Sequence, residues 1–181
     1  MKKTIFASLL AIATSAVFAQ ANINKGDWML GGNASFSSQK YKGYEGSTTS
    51  FELTPDAGYF FIDQLAGGLS FAYASSKSTG EDALSAYAIA PFVRYYFLPA
   101  TQKVNVFAQG AYLFGSVPVL DESVNTEGYA FSAGPSVFLS PSTALEVSLS
   151  YSSLGGDAYL GTRSNTLGIQ VGFQIHLAGK K

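Results

Sequence analysis

The chain has 181 residues, and 11 Lys and Arg against 12 Asp and Glu give it a formal net charge of −1 at neutral pH. Charged residues make up 13% of the sequence and hydrophobic residues 47%, whereas about 25% of a typical soluble domain is charged. The absence of cysteine excludes a disulfide scaffold and thiol chemistry, a single histidine leaves little for a metal site, and the lack of a basic run argues against a nucleic-acid partner. We therefore expect a folded chain without metal or cofactor.

The N-terminus has the features of a secretory signal peptide. Lys2 and Lys3 precede an uncharged apolar run over 5–18, and small residues suited to signal peptidase follow it. Cleavage after Ala19 is favoured, and cleavage after Ala21 is the alternative. The run has 14 residues, fewer than the roughly 20 that a membrane-spanning helix needs. We predict a signal peptide over 1–19 and one mature domain over 20–181, with a net charge of 9 − 12 = −3.

The mature chain alternates between apolar and other residues with a period of two. Segments of about ten residues show this pattern and are separated by Gly, Ser, Asp, Asn and Pro, which is typical of half-buried strands. Pro55, Pro91 and Pro135 lie inside segments and each predicts a bulge or local break, because proline lacks the N–H of a ladder bond. In chain order, the eight predicted strands are Asp27–Ser37, Ser50–Phe60, Leu65–Ala74, Ser85–Tyr96, Val104–Gly115, Gly128–Leu139, Ala144–Ser153 and Thr166–Leu177.

The connections between the predicted strands alternate in length. Three are tight, around 61–64, 97–103 and 140–143. Short turns at one end and long loops at the other are typical of an up-and-down meander with two unlike ends. The four longer and more polar connections are 40–46, 76–82, 121–127 and 155–165.

The two faces of the predicted strands differ in charge and size. The apolar faces carry no charged side chain, and the opposite faces carry small residues together with a few charges. A soluble barrel would turn its apolar faces inward, but these large side chains would overfill an eight-stranded interior. Small residues inside and large ones outside describe a barrel that is stable in hydrocarbon, because closure satisfies its backbone groups. The sequence thus predicts an all-β, eight-stranded antiparallel up-and-down transmembrane β-barrel.

Aromatic residues cluster at both ends of the predicted strands. Amphipathic rings lie at head-group level in membrane barrels, so such clusters indicate the two interfaces. A sparser belt beside the tight turns comprises Trp28, Tyr59, Tyr95 and Phe173. Seven of the eight strands contribute to the belt beside the long loops, with Phe36, Phe51, Tyr73, Tyr87, Tyr112, Phe114, Tyr129, Phe131 and Tyr151.

Two stretches carry a resemblance to a known family. The hairpin over 51–71 and the strand end over 91–97 resemble the small outer-membrane β-barrel family of the OmpA and OmpX type, and the likeness covers essentially the whole mature chain. Gln170, Gly172 and Ile175 are similar to the family's assembly signal, although Leu177 replaces its terminal aromatic. The resemblance implies outer-membrane localisation, contact with outer-membrane lipid and lipopolysaccharide, and recognition by the assembly machinery.

The polar faces suggest a structural cluster in the lumen, formed by Glu52, Asp56, Arg94 and Glu146. Counted from the tight turns, Asp56, Arg94 and Glu146 lie about three or four residues above the periplasmic end, and Glu52 lies higher. We expect Arg94 to bridge Asp56 and Glu146, because an unpaired buried charge is costly. A filled interior of eight strands also predicts that there is no open pore.

Catalysis is not expected. Lipid A-modifying enzymes on similar small barrels need a histidine with a serine or carboxylate near the outer leaflet. The only histidine, His176, falls at the periplasmic end of the last strand, where we expect a structural or partly solvated residue.

The long loops carry what remains of the functional signal. They could support adhesion to an extracellular partner by strand addition. We predict a monomeric, non-enzymatic outer-membrane barrel with a structural or surface-interaction role; the alternatives are a narrow porin or small-solute channel and, less favoured, a lipid A-modifying enzyme. Loop acids that could meet divalent cations among lipopolysaccharide phosphates, though more readily interpreted as solvated charge, are Glu45, Glu81, Asp82, Asp121, Glu122 and Asp157.

Overall fold

A computed structural model describes residues 20–40, 46–80, 82–119, 122–159 and 161–179. Its strands form a closed antiparallel barrel in which each strand pairs with its neighbours in sequence and the last pairs with the first, which confirms the predicted fold. Within the described ranges, no helix has the length and apolarity needed to cross a membrane. The strands are β1 (Trp28–Lys40), β2 (Ser47–Ile62), β3 (Leu65–Ser78), β4 (Leu84–Tyr96), β5 (Val104–Val119), β6 (Glu122–Ser140), β7 (Thr143–Gly155) and β8 (Ser164–Leu177).

Several strands extend further into the predicted loops than expected. The predicted connection 121–127 is wrong for most of its length, because β6 begins at Glu122 and pairs with β5 throughout. Likewise β3 continues to Ser78 and pairs with β2, which begins at Ser47. Apart from Val124, these extensions of β3 and β6 are polar on both faces, so the contrast of period two disappears while the backbone pairing continues.

The three prolines inside the predicted strands each interrupt one ladder. Pro55 pairs with β1, but β2 and β3 have no pairs between Leu53 and Asp56. Pro91 interrupts the β4–β5 ladder and Pro135 the β6–β7 ladder in the same way, and the register is unchanged on both sides of each gap. The prediction of a local break is confirmed, and none of the three interruptions is a bulge. The missing N–H of proline removes bonds on one side only.

The two faces of the sheet have the predicted orientation. Large apolar side chains point outward, as Leu69, Ile89 and Leu149 do with 58%, 53% and 57% of their surface exposed. Aromatic residues of the belts meet across neighbouring strands: the rings of Trp28 and Tyr59 are 5.0 Å apart. This surface is stable where the surrounding solvent is hydrocarbon.

The half of the lumen next to the tight turns, called periplasmic after the predicted orientation, is closed by buried side chains, here called the aromatic floor: Phe60, Phe92, Tyr96, Phe107 and Phe138. Glycines on neighbouring strands make room for these rings. A Cβ atom at Gly68 would lie 2.7 Å from the Phe92 ring, so a larger residue there would collide with it.

Residues 20–27, here called the N-terminal segment, cross the mouth of the barrel beneath the aromatic floor. The N–H of Ala21 donates to the carbonyl of Ala100, and the N–H of Asn22 donates to that of Pro141. The Ile23 carbonyl accepts from the N–H of Gln64, so the segment bonds to all three periplasmic turns. Ala21 and Ile23 are fully buried. The segment therefore covers the periplasmic mouth, a role that the sequence pattern did not indicate.

A carboxylate joins this segment to the end of the barrel. Asp27 accepts from the backbone N–H of Asn24 and from that of Gly179, each at 2.9 Å. The N–H of Phe60 donates to the Asp27 carbonyl. Asp27 thus fastens the N-terminal segment to β2 and to the residues that follow β8.

Candidate functional site

The centre of the lumen is a charged cluster around Arg94. Its Nη1 atom donates to both carboxylate oxygens of Glu146, at 3.2 and 3.0 Å, and its Nη2 atom lies 3.8 Å from Asp56 Oδ2. The side chains of all three residues are only 1% exposed. Arg94 therefore contacts Glu146 closely and Asp56 more loosely.

Neutral residues provide further contacts to the Arg94 guanidinium. Its Nε atom donates to Gln109 Oε1 at 2.7 Å, and the guanidinium carbon lies 4.5 Å from the centre of the Phe107 ring. Because Phe107 belongs to the aromatic floor, the floor and the charged cluster are in direct contact. A buried guanidinium is tolerated when its donors are satisfied in this way.

Asp56 has a second partner on β8. The amide of Gln174 donates to both of its carboxylate oxygens, at 3.1 and 3.0 Å. Gly31 provides the space, because a Cβ atom there would lie 2.3 Å from Gln174 Oε1. That oxygen and Ser136 Oγ have no hydrogen-bond partner among the described residues.

Tyr96 and His176 connect the cluster to the floor. The Tyr96 hydroxyl donates to Glu146 Oε1 at 3.2 Å and lies 3.1 Å from His176 Nε2. Since the hydroxyl has only one proton, this pairing assigns a proton to Nε2 and leaves Nδ1 as an acceptor, which has no partner among the described residues. His176 is fully buried, which leaves the structural residue, and not the partly solvated one, of the two expected alternatives.

Glu52 lies apart from the Arg94 cluster. It is half-buried in the extracellular half of the lumen, and Ser35 Oγ lies 3.5 Å from its Oε2 atom. The inward-facing residues around it are small or polar and half-buried, including Ala72, Ser150 and Gln170. Together they form a polar vestibule above the closed periplasmic half.

The sequence identified the charges of this cluster and missed its neutral members, Tyr96, Gln109, Gln174 and His176. A signal was present, because each of these residues has the inward-facing parity of its own strand and lies near the tight turns. Register places Gln109 directly beside Arg94. Which inward residues meet across the lumen depends on strand tilt, which parity does not reveal.

The outer loop acids are scattered. Asp82 and Asp157 are exposed, whereas Glu45, Glu81, Asp121 and the side chain of Glu122 lie outside the described residues. In the described ranges, no group of three or more His, Asp or Glu side chains is arranged to hold a metal ion.

An eight-stranded antiparallel barrel with an apolar outer face, aromatic belts and a polar lumen is typical of outer-membrane proteins. The chain belongs to the outer membrane protein beta-barrel domain family, whose model matches residues 6–174.

Solved structures share this fold. Neisserial surface protein A (NspA) superimposes with a TM-score of 0.61 at 16% identity, over 83% of this chain and 97% of that chain. The outer membrane protein OprG from Pseudomonas aeruginosa gives a TM-score of 0.53 at 15% identity, over 91% and 100% of the two chains. No curated protein matches the chain.

Proposed function

We propose that this protein is a closed, non-conducting outer-membrane barrel with a structural or cell-surface interaction role. The observation that carries the proposal is a stack of three layers that together close the lumen. The Arg94–Glu146 pair lies on the aromatic floor, and the N-terminal segment covers the mouth below. Eight-stranded barrels have an interior just wide enough for side chains to fill. Function would then depend on the barrel as a membrane element and on its extracellular loops.

Complementation of a deletion strain separates these two roles. The full chain is compared with a variant in which 156–162 is replaced by a short turn, and both are checked for heat-modifiable migration on a gel. A purely structural role predicts that both variants restore resistance to detergent and large antibiotics. A surface-interaction role predicts that the trimmed variant restores this barrier but loses binding to surfaces or cells. Restoration of neither property by the full chain would overturn the proposal.

A narrow porin is the second candidate. The polar vestibule around Glu52 favours it, because half-buried Ser, Thr and Gln side chains would be compatible with water and small solutes. Solute uptake into vesicles distinguishes the two candidates. A closed barrel predicts uptake at the rate of protein-free vesicles, and a porin predicts faster uptake of small polar solutes.

An enzymatic role in lipid A modification receives no support from the histidine. His176 is buried at the periplasmic end, and its imidazole ring bonds to Tyr96. Acyl chemistry in the outer leaflet requires a base at the other end of the barrel. Mass spectrometry of lipid A with and without the protein tests this point, and a changed acyl pattern would establish an enzyme.

We further propose export through a signal peptide cleaved after Ala19. Cleavage after Ala21 would remove a fully buried residue whose N–H donates to Ala100. The mature chain would then begin at Gln20, which intact-mass measurement of the purified protein can check. A mass that corresponds to Asn22 as first residue would contradict this choice.

A further inference from the structure

The ladder that closes the barrel is incomplete at its extracellular end. β1 pairs with β2 at thirteen positions up to Lys40, but with β8 at seven, from Trp28–Leu177 to Ala34–Val171. Continuing this register would pair 35–40 of β1 with 165–170 of β8. Within the described residues, none of these positions is paired across the seam. We call this unpaired stretch the side opening.

The exposure of nearby side chains supports the opening. Ile169, Phe36 and Leu167 are 73%, 71% and 68% exposed, more than any other large apolar side chain of the described chain. Each belongs to the unpaired stretch and lacks the cover that a paired strand across the seam would give. Phe36 and Tyr151, the partner of Leu167, belong to the outer aromatic belt, so the opening lies at head-group level.

An unpaired strand edge is tolerated at few places in a membrane. Its N–H and carbonyl groups are costly in hydrocarbon and are tolerated where they border a water-filled cavity. Here the polar vestibule lies directly inside, with Ser35, Thr166 and Gln170 on the two edges facing it. The opening therefore joins a polar cavity to an apolar surface, and an amphiphile matches both sides.

The charge inside the lumen determines which kind of head group fits there. Among the side chains that the structure describes, Glu52 is the only charged one on the lumenal faces above the Arg94 cluster. It is paired with Ser35, which is the first β1 residue beyond the seam. A head group that enters through the opening thus meets a carboxylate one strand away.

We propose that the side opening binds a cationic amphiphile of the outer leaflet, an amine head group on an alkyl chain. The amine pairs with Glu52 inside, and the chain packs on Phe36, Leu167 and Ile169 outside. An added peptide strand fits less well. β1 and β8 are antiparallel to each other, so a strand between them would be antiparallel to one and parallel to the other. With an amphiphile in the opening, water from the vestibule bonds to the unpaired N–H and carbonyl groups of both edges.

Photo-crosslinking in vesicles of zwitterionic phospholipid tests the ligand. The probes are dodecylamine and dodecanoic acid, each with a diazirine at the same chain carbon. Saturable labelling by the amine at 36 and 167–169, at least tenfold above the acid, is expected. Equal labelling by both probes, or labelling spread evenly around the barrel, would overturn the proposal.

Variants of the carboxylate provide the matched comparison. Glu52→Gln is expected to lower amine labelling at least tenfold, and Glu52→Asp to retain most of it. Glu127→Gln is the control, because Glu127 lies at the same end of the barrel on the outer face, where it accepts from Tyr112. All variants must keep heat-modifiable migration. Unchanged labelling in Glu52→Gln would overturn the role of Glu52.

Cysteine pairs test the opening itself, since the chain has no native cysteine. Ser37→Cys with Gly168→Cys spans the opening, and Ser37→Cys with Ser50→Cys spans a paired position of β1 and β2. A Cβ atom at Gly168 has its nearest contact at 3.6 Å, so the substitution fits. The first pair is expected to oxidise at least tenfold more slowly. Equal rates would show a closed seam, and a disulfide between two copies would show a second chain in the opening; either result contradicts the proposal.

Discussion

Replacing Arg94 with methionine removes the cation of the lumenal cluster and keeps a side chain of similar volume. Glu146 and Asp56, both 1% exposed, would then be buried without a counter-charge. Breaking a buried ion pair by removing one partner costs about 3–5 kcal/mol. We expect Arg94→Met to lower the free energy of unfolding by that amount. Arg163→Met is the control: Arg163 is exposed and bonds to Ser153, so about 0–1 kcal/mol is expected.

Urea unfolding of the protein in lipid vesicles measures these differences. Trp28 is the only tryptophan and lies on the outer face, so its fluorescence reports on loss of the barrel from lipid. The double variant Arg94→Met with Glu146→Gln removes both charges of the close pair. The two substitutions are expected to be non-additive by about 1–3 kcal/mol, because they act on one interaction. A loss below about 1 kcal/mol for Arg94→Met, or strict additivity, would refute a cluster held by paired charge.

Two further substitutions test the packing of the floor and the fastening of the segment beneath it. Gly68→Ala is expected to lower the free energy of unfolding by about 1–3 kcal/mol, because its Cβ would lie 2.1 Å from a backbone carbonyl oxygen. Gly168→Ala is the control: its Cβ meets nothing within 3.5 Å, so we expect almost no change in the same urea assay. Asp27→Ala removes the acceptor of two backbone N–H groups and is expected to accelerate tryptic cleavage after Lys25 at least tenfold. The control, Asp157→Ala, lies on a loop at the other end and should leave the cleavage rate unchanged. Equal cleavage rates in the two variants would contradict the fastening role of Asp27.

Much of the fold could be predicted from the sequence because a membrane barrel alternates in side-chain size and polarity at every strand. Leu145, Val147 and Leu149 against Glu146 and Ser148 define both faces of β7 without any tertiary information. The alternation is lost where nearly all residues of both faces are polar, as in the extensions of β3 and β6. Pairing there depends on the backbone, which the side-chain pattern does not report.

The candidate site was less accessible to sequence reasoning. Parity places Arg94, Asp56 and Glu146 in the lumen, but contacts across the lumen depend on tilt and on the space left by glycines. Neutral partners such as Gln174 carry no charge, so the sequence does not distinguish them from the other polar residues that face inward. The N-terminal segment lies outside any repeating pattern, so its bonds to the turns follow only from the folded barrel. The seven-pair seam likewise depends on three-dimensional closure.

Single-channel recording in a planar lipid bilayer tests the closed lumen most directly. The full mature protein is inserted after its folded state is verified by heat-modifiable migration. Three layers across the lumen predict no steady conductance above that of the protein-free bilayer at either polarity. A large and steady conductance that scales with the number of inserted molecules would contradict a barrel closed by Arg94, the aromatic floor and the N-terminal segment.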